Sequence, residues 1–268
     1  MRIDVVVLVA ALSGAPLHSQ TDSAQAASSA AGFKIGETLV YEAKFGFLTL
    51  GSGMMHVAGI DTVRGIPALH VIFVLKGGGF MYPMHDRMDS WIGIDDFASR
   101  RFVQDFHEGS SHRYTAWDIY PDSGYYREEG ADSTIATSPN PLDDYAFFYF
   151  ARTLDYEVGQ TYEFDRYFRP DRNPVVLEVL EKDTLDLPAG RFPSIVIHPV
   201  IQGRGILAEG KEARMWISDD ESRLMIQLKV KFSFATITLR LKSIVDSPPE
   251  DMLLRPIEAK DSQEKGSP

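Results

Sequence analysis

The chain repeats one polar signature 125 positions apart: "WIGIDDFASRRF" (91–102) and "WISDDESRLMIQLKVKF" (216–232). Each runs Trp-Ile, a short spacer, Asp-Asp, a short spacer, Ser-Arg. Paired carboxylates beside an arginine are the groups of acid–base catalysis and of divalent-metal binding. They are equally the groups that turn a chain between two strands, because Asp accepts turn geometry and hydrogen-bonds the local backbone. A catalytic pair rarely needs to be duplicated together with its turn, so the repeat favours structure. In that reading Trp91 and Trp216 anchor the incoming strand in the core, and Arg100 and Arg223 close the loop against a carboxylate.

Two other clusters contain chemically capable groups. His107 and His112 flank "EGSS", and a hairpin with a four-residue loop sets them opposite each other, near enough to share a metal. Asp105 and Glu108 are close in sequence. The spacing is not that of zinc proteases, whose two histidines lie one helical turn apart, and an exposed hairpin pair is the reading taken. "FMYPMHDRMDSWIGIDD" (80–96) gathers His85, Asp86, Arg87 and Asp89 beside Met81, Tyr82, Met84 and Met88, after glycines 77–79. A His–Asp pair suits general-base chemistry. No Gly-x-Ser-x-Gly nucleophile motif occurs, and neither does a dinucleotide fingerprint, a P-loop or an EF-hand. The stretch reads as a glycine connection leading into a polar strand, with a lid over a cavity as the functional alternative. No catalytic residue, cofactor or metal is assigned. The residues expected to meet a ligand are Met81, Tyr82 and Met84, together with Phe147 and Phe150 from the segment considered next.

The elements that must position these groups are mostly strands. From Leu224 to Phe234 every even position is apolar, and the odd ones from Gln227 to Ser233 are polar, as in a strand with one buried face. After Ala235 the apolar set shifts to Ile237, Leu239 and Leu241, a slip of one residue that implies a bulge or corner. "LHVIFVL" (69–75) and "SIVIHPVI" (194–201) are apolar on both faces and read as central strands or cavity walls. Turn residues at 63–65, 76–79, 108–111, 121–124 and 188–190 punctuate the runs at hairpin spacing. One segment differs. "SPNPLDDYAFFYFARTL" (138–154) predicts a buried aromatic helix over 141–154, with Phe147, Phe150, Ala151 and Leu154 on one face.

The segments flanking that helix resemble each other. "IGETLVYEAKF" (35–45) parallels "VGQTYEFDRYF" (158–168), "GIDT" (59–62) parallels "EKDT" (181–184), and "IPALHV" (66–71) parallels "FPSIVI" (192–197). Internal similarity of this kind marks a duplicated unit. The expected organisation is one β domain over 33–245, built of halves 33–135 and 156–245 joined by the helix. Its fold class is mainly β: antiparallel strands in a curved sheet or incomplete barrel around one central helix.

Composition narrows the function classes. A formal charge of −11 with no basic cluster argues against nucleic acid as a partner. With no cysteine there are no disulfides, thiolate nucleophiles or cysteine zinc sites. "VVVLVAAL" (5–12) followed by "SAQA" ending at Ala26 predicts an export signal over 1–26; its apolar run is too short to span a bilayer. The proline-rich, charged segment 247–268 reads as a disordered tail.

In order, "GETLVYEAKFGFLTLGSG", "MYPMHDRMDSWIGIDDFASRRF", "NPLDDYAFFYFAR", "LPAGRFPSIVIHPVI" and "MWISDDESRLMIQLKVKF" resemble the exported bacterial proteins grouped as domain of unknown function 3108, over about residues 33–245. The resemblance implies mostly antiparallel β structure, similar to the open barrels of the LolA/LolB lipoprotein carriers, and brings no catalytic residues. One departure is Leu224-Met225, where the resemblance leads one to expect a proline near the end of the last turn. The resemblance bears on compartment and fold. Doubly apolar strands, nine Met and 11% aromatics suit an apolar cavity, so the expected function is that of an exported, periplasmic, non-catalytic envelope protein that binds a lipid or other apolar small molecule. The alternatives are a structural partner of another envelope protein and a metal-dependent hydrolase using the Asp/His clusters.

Overall fold

The structure is a computed structural model and describes residues 33–78, 83–202, 212–231 and 236–253. The expected export signal lies outside them, as do Met81, Tyr82, the phase slip after Ala235 and residues 254–268 of the expected tail. The strands in chain order are β1 (Thr38–Phe45), β2 (Leu48–Val63), β3 (Ile66–Gly77), β4 (Met84–Gly93), β5 (Ser99–Glu108), β6 (Ser111–Tyr120), β7 (Tyr125–Glu128) and β8 (Ile135–Ala136). After one α-helix, α1 (Ala146–Ala151), come β9 (Thr161–Phe164), β10 (Val175–Leu187), β11 (Gly190–Ile201), β12 (Glu212–Ser218), β13 (Met225–Lys231) and β14 (Thr236–Val245).

All fourteen strands belong to one antiparallel sheet in the order β8-β7-β6-β5-β4-β3-β2-β1-β14-β13-β12-β11-β10-β9. Each half is a meander, and the last strand returns to pair with the first, Tyr41 opposite Leu241 and Ala43 opposite Leu239. The two halves share their irregularities. The β2–β3 register shifts between Val57 and Gly59, and β10–β11 shifts between Val179 and Glu181. β4–β5 shifts between Trp91 and Ile92, and β12–β13 between Trp216 and Ile217. Such bulges add local twist and curl a sheet. The repeat seen in the sequence is thus also a repeat of where the sheet bends.

The sheet does not close. Its edges, β8 and β9, are spanned by the connecting chain: Thr137 Oγ1 donates to the Phe168 carbonyl at 2.7 Å, and Phe168 N–H donates to the Leu142 carbonyl at 2.9 Å. Phe168 fills the seam between Phe102, Trp117 and Tyr126, with ring centroids 5.1–6.3 Å apart. The concave face is packed by α1 and its flanks, where Tyr145, Phe147, Tyr149 and Ala151 are all buried. The helix is shorter than the periodicity predicts, and Asp143 closes its entrance. That carboxylate accepts the backbone N–H groups of Tyr145 at 2.9 Å and Ala146 at 2.8 Å and the Ser90 hydroxyl at 2.6 Å. At the other end Arg152 forks onto Glu37, at 2.6 and 3.1 Å, and donates to the Ser222 carbonyl.

β3 is apolar on both faces because both are covered. Leu69 and Val71 join the main core, whereas Ile72 and Val74 pack outside the sheet with Met54 and Met252. Met252 belongs to a 3₁₀ turn, Glu250–Met252, so the chain just after β14 lies against the outer face of the sheet.

Candidate functional site

The Asp-Asp motifs are turns. Asp96 Oδ1 accepts Ala98 N–H at 3.1 Å; Asp220 Oδ1 accepts Ser222 N–H at 3.0 Å and Arg223 N–H at 3.1 Å. Arg100 pairs with Asp96 and Asp122, and Arg223 with Asp155. Of the two tryptophans expected in the core, Trp216 is there. Trp91 is half-buried on the outer face against His70, because its position in β4 points away from the core. Both have matched partners further back in each half. Trp91 Nε1 donates to Asp61 Oδ2 at 3.0 Å, and Trp216 Nε1 to Asp183 Oδ2 at 3.0 Å. The carboxylates therefore hold backbone and indole N–H groups in place.

The "MHDRMD" cluster is divided by strand geometry, since successive side chains of a strand point to opposite faces. Asp86, Met88 and Ser90 point to the concave side, where Ser90 meets Asp143. His85, Arg87 and Asp89 alternate with them. On the outer face Asp89 is gripped by Arg87, at 2.6 and 2.7 Å, and by His70 Nε2 at 2.7 Å, and the His70 ring stacks on Trp91. His85 and Asp86 consequently stand on opposite faces and cannot form a His–Asp dyad.

His107 and His112 do face each other, with rings stacked 4.0 Å apart. Asp105 joins them: its Oδ1 lies 2.6 Å from His112 Nε2 and 3.2 Å from His107 Nε2. One ligand atom from each residue falls within 4.8 Å of the other two, a spacing that a divalent ion can bridge. The cluster is largely exposed on the hairpin. It shares no wall with the concave cavity described next.

That cavity, of about 290 Å³, lies toward the end of the sheet where β3, β5 and β13 finish and β4 and β14 begin. Tyr145 and Phe148 beside and on α1 form one side. Met55, Phe73, Leu75 and Met88 come from one part of the sheet, and Met225, Leu228, Val230 and Leu239 from the other. Its only carboxylates among the described residues are Asp86 and Glu108. Tyr145 brings no free hydroxyl, because its O–H donates to the Ile72 carbonyl at 2.9 Å. Burial, and then the neighbouring Glu108 charge, push the Asp86 carboxyl up to about 6. Asp86 Oδ1 is buried with no hydrogen-bond partner among the described residues.

Of the ligand residues expected from sequence, Phe147 is core and Phe150 packs on Phe97 and Phe164. Met84 is partly buried and is not a lining residue. Neighbours one position along α1 or a few along β4, Phe148 and Met88, take the wall instead. Helical spacing showed which residues share a face but not which face meets the cavity. In the sequence Asp86 and Glu108 stand out only as polar members of "MHDRMD" and of the histidine hairpin. Alternation along β4 and β5 assigns each carboxylate a face of its own strand, and the pairing register brings the two faces to one side.

The family model for a protein of unknown function, DUF3108, matches residues 40–242. The chain belongs to this family. Among solved structures it is similar to a β-barrel-like protein of another domain of unknown function, DUF1849, from Brucella abortus, with 8% identity and a TM-score of 0.50 over 78% of this chain and 96% of that one. At that identity the likeness is one of fold alone. Lower similarities, at TM-scores of 0.36 and 0.32, are to a candidate lipoprotein from Parabacteroides distasonis and a candidate exported protein with a YmcC-like fold from Bacteroides fragilis. These two have 8% and 9% identity, and each alignment covers 79% of this chain and 96% of the other. No curated protein matches the chain.

Proposed function

We propose that this protein is an exported, non-catalytic envelope protein that carries or senses an apolar small molecule in the cavity beside α1. One observation carries the reading: a cavity of about 290 Å³ whose walls, apart from Asp86 and Glu108, are Met, Leu, Ile, Val, Phe and Tyr. Proteins normally fill such space, since interiors are packed to crystal density and voids cost stability. A retained apolar cavity is the ordinary form of a small-ligand site. The apolar run before Ala26 supports export. Native mass spectrometry with organic extraction, on protein purified from its own exported compartment, tests the reading. A stoichiometric apolar adduct supports it, and an apo mass under conditions that preserve apolar complexes counts against it.

A second reading, as an assembly partner in the envelope, has its own observation. The β1–β2 hairpin presents Phe47, 87% exposed, with Leu48 and Leu50, and Phe45 pairs with Ile237 on the cavity wall. Contiguous exposed apolar residues mark contact surfaces. Substituting Phe47 and Leu48 with Ser separates the two readings: it removes partner capture under the second and leaves ligand content unchanged under the first.

A further inference from the structure

The polar groups on the cavity wall share a sign. Asp86 comes from β4 and Glu108 from the end of β5, and both reach an otherwise apolar space. Asp86 is 9% exposed, and its Oδ1 is buried with no partner among the described residues. Leaving a carboxylate oxygen in apolar surroundings without a donor is costly, and native proteins rarely tolerate it. Among the described residues, no nearby cation donates to that oxygen. Lys76 of β3 donates to the Asp251 carbonyl at 2.9 Å. Arg113 of β6 is exposed, with its guanidinium 5.1 Å from the Phe106 ring centre, and it affects the carboxyl less than Glu108 does. On the neighbouring β5, Asp105 adds further negative charge and His107 is turned toward Asp105; His85 stands on the opposite face of β4.

Resting on the reading of the cavity as a ligand site, we infer that its ligand is a single-chain amphiphile with a protonated amine head, the ammonium against Asp86 and Glu108 and the tail along the Met and Leu walls. Three considerations lead there. A carboxylate, phosphate or sulfate head would add a third negative charge. A neutral apolar ligand would leave Asp86 Oδ1 without a donor, whereas an ammonium brings three N–H groups. Size then limits the tail: a cavity of roughly 150 Å³ holds benzene, so 290 Å³ takes about a dozen carbon atoms, one chain rather than two.

Dodecylamine, dodecanol and dodecanoate, all below their micellar concentrations, distinguish the possibilities by calorimetric titration of the full-length protein. At pH 8 dodecylamine is expected to bind about tenfold more tightly than dodecanol, as for a buried charge-assisted hydrogen bond, with dodecanoate weakest. The amine keeps its proton down to pH 5, but Asp86, pushed up to about 6, does not keep its charge, so the preference should shrink toward parity there. Asp86→Asn should abolish the preference at pH 8. Glu108→Gln, at a strand end, should reduce it even if Asp86→Asn fails to fold. Equal binding of all three probes, or dodecanoate binding best, overturns the headgroup assignment and leaves the carrier reading standing. Binding of none of them overturns both.

Discussion

Two buried aspartates, Asp86 and Asp143, have carboxyls raised from 3.8 to about 6, yet they should respond in opposite ways to the same substitution. For Asp86 the cause is burial plus Glu108, with one oxygen unpartnered among the described residues. The folded state therefore holds a proton that the unfolded chain releases between about pH 4 and 6. Stability falls as pH rises through that window, and the penalty is complete above it. A change from 3.8 to about 6 corresponds to at most about 3 kcal/mol at 1.36 kcal/mol per decade. Because Asp86 borders an open cavity, about 1–2 kcal/mol is the expected amount once solvent screening is allowed for. Asp86→Asn should thus raise the urea-unfolding free energy by about 1–2 kcal/mol at pH 8 and by close to nothing at pH 4. Asp143 is buried too, but it accepts two backbone N–H groups and the Ser90 hydroxyl. An amide there turns an acceptor into a donor facing donors, so Asp143→Asn should cost about 1–3 kcal/mol at pH 8. The decisive quantity is the difference between the two variants in urea titrations at pH 4 and pH 8. If Asp86→Asn destabilises at pH 8, or shifts stability equally at both pH values, Asp86 Oδ1 is not held against the cavity without a donor. The headgroup inference then loses its basis.

Further tests address the frame around the cavity. Arg152→Ala removes a nearly buried guanidinium and strands Glu37, and should lower unfolding free energy by about 3–5 kcal/mol in urea titration. Met252→Ala opens the outer cluster over Met54, Ile72 and Val74 and should cost about 2 kcal/mol, lowering the thermal midpoint. Asp61→Asn and Asp183→Asn should each cost about 1 kcal/mol or less, and the double variant should equal their sum, because the two Trp–Asp pairs belong to separate halves. Val230→Trp, on the cavity wall, should abolish dodecylamine binding in calorimetry while the circular dichroism spectrum of the fold is retained.

The sequence by itself determined the strand content, the central helix segment and the turn role of both Asp-Asp motifs. Each rests on local periodicity or on turn chemistry, which operates over a few residues. Alternation along β13 and the doubly apolar runs of β3 and β11 were readable for that reason. Tertiary structure decided the rest, because it depends on which face of an element meets which distant one. Phe148 rather than Phe147 or Phe150 meets the cavity, because which helix face turns to which wall is set by distant strands and not by any local pattern. The double burial of β3 needs Met252, which arrives from the far end of the chain to cover Ile72 and Val74. Asp86 and Glu108 share one wall only because β4 and β5 pair in this register, placing Asp86 opposite Phe106 and Met84 opposite Glu108. Moving that pairing by one residue would turn β5 over relative to β4 and put the two carboxylates on opposite faces of the sheet. A carboxylate oxygen with no partner among the described residues, set in an apolar cavity wall, is therefore a property of register and curvature together.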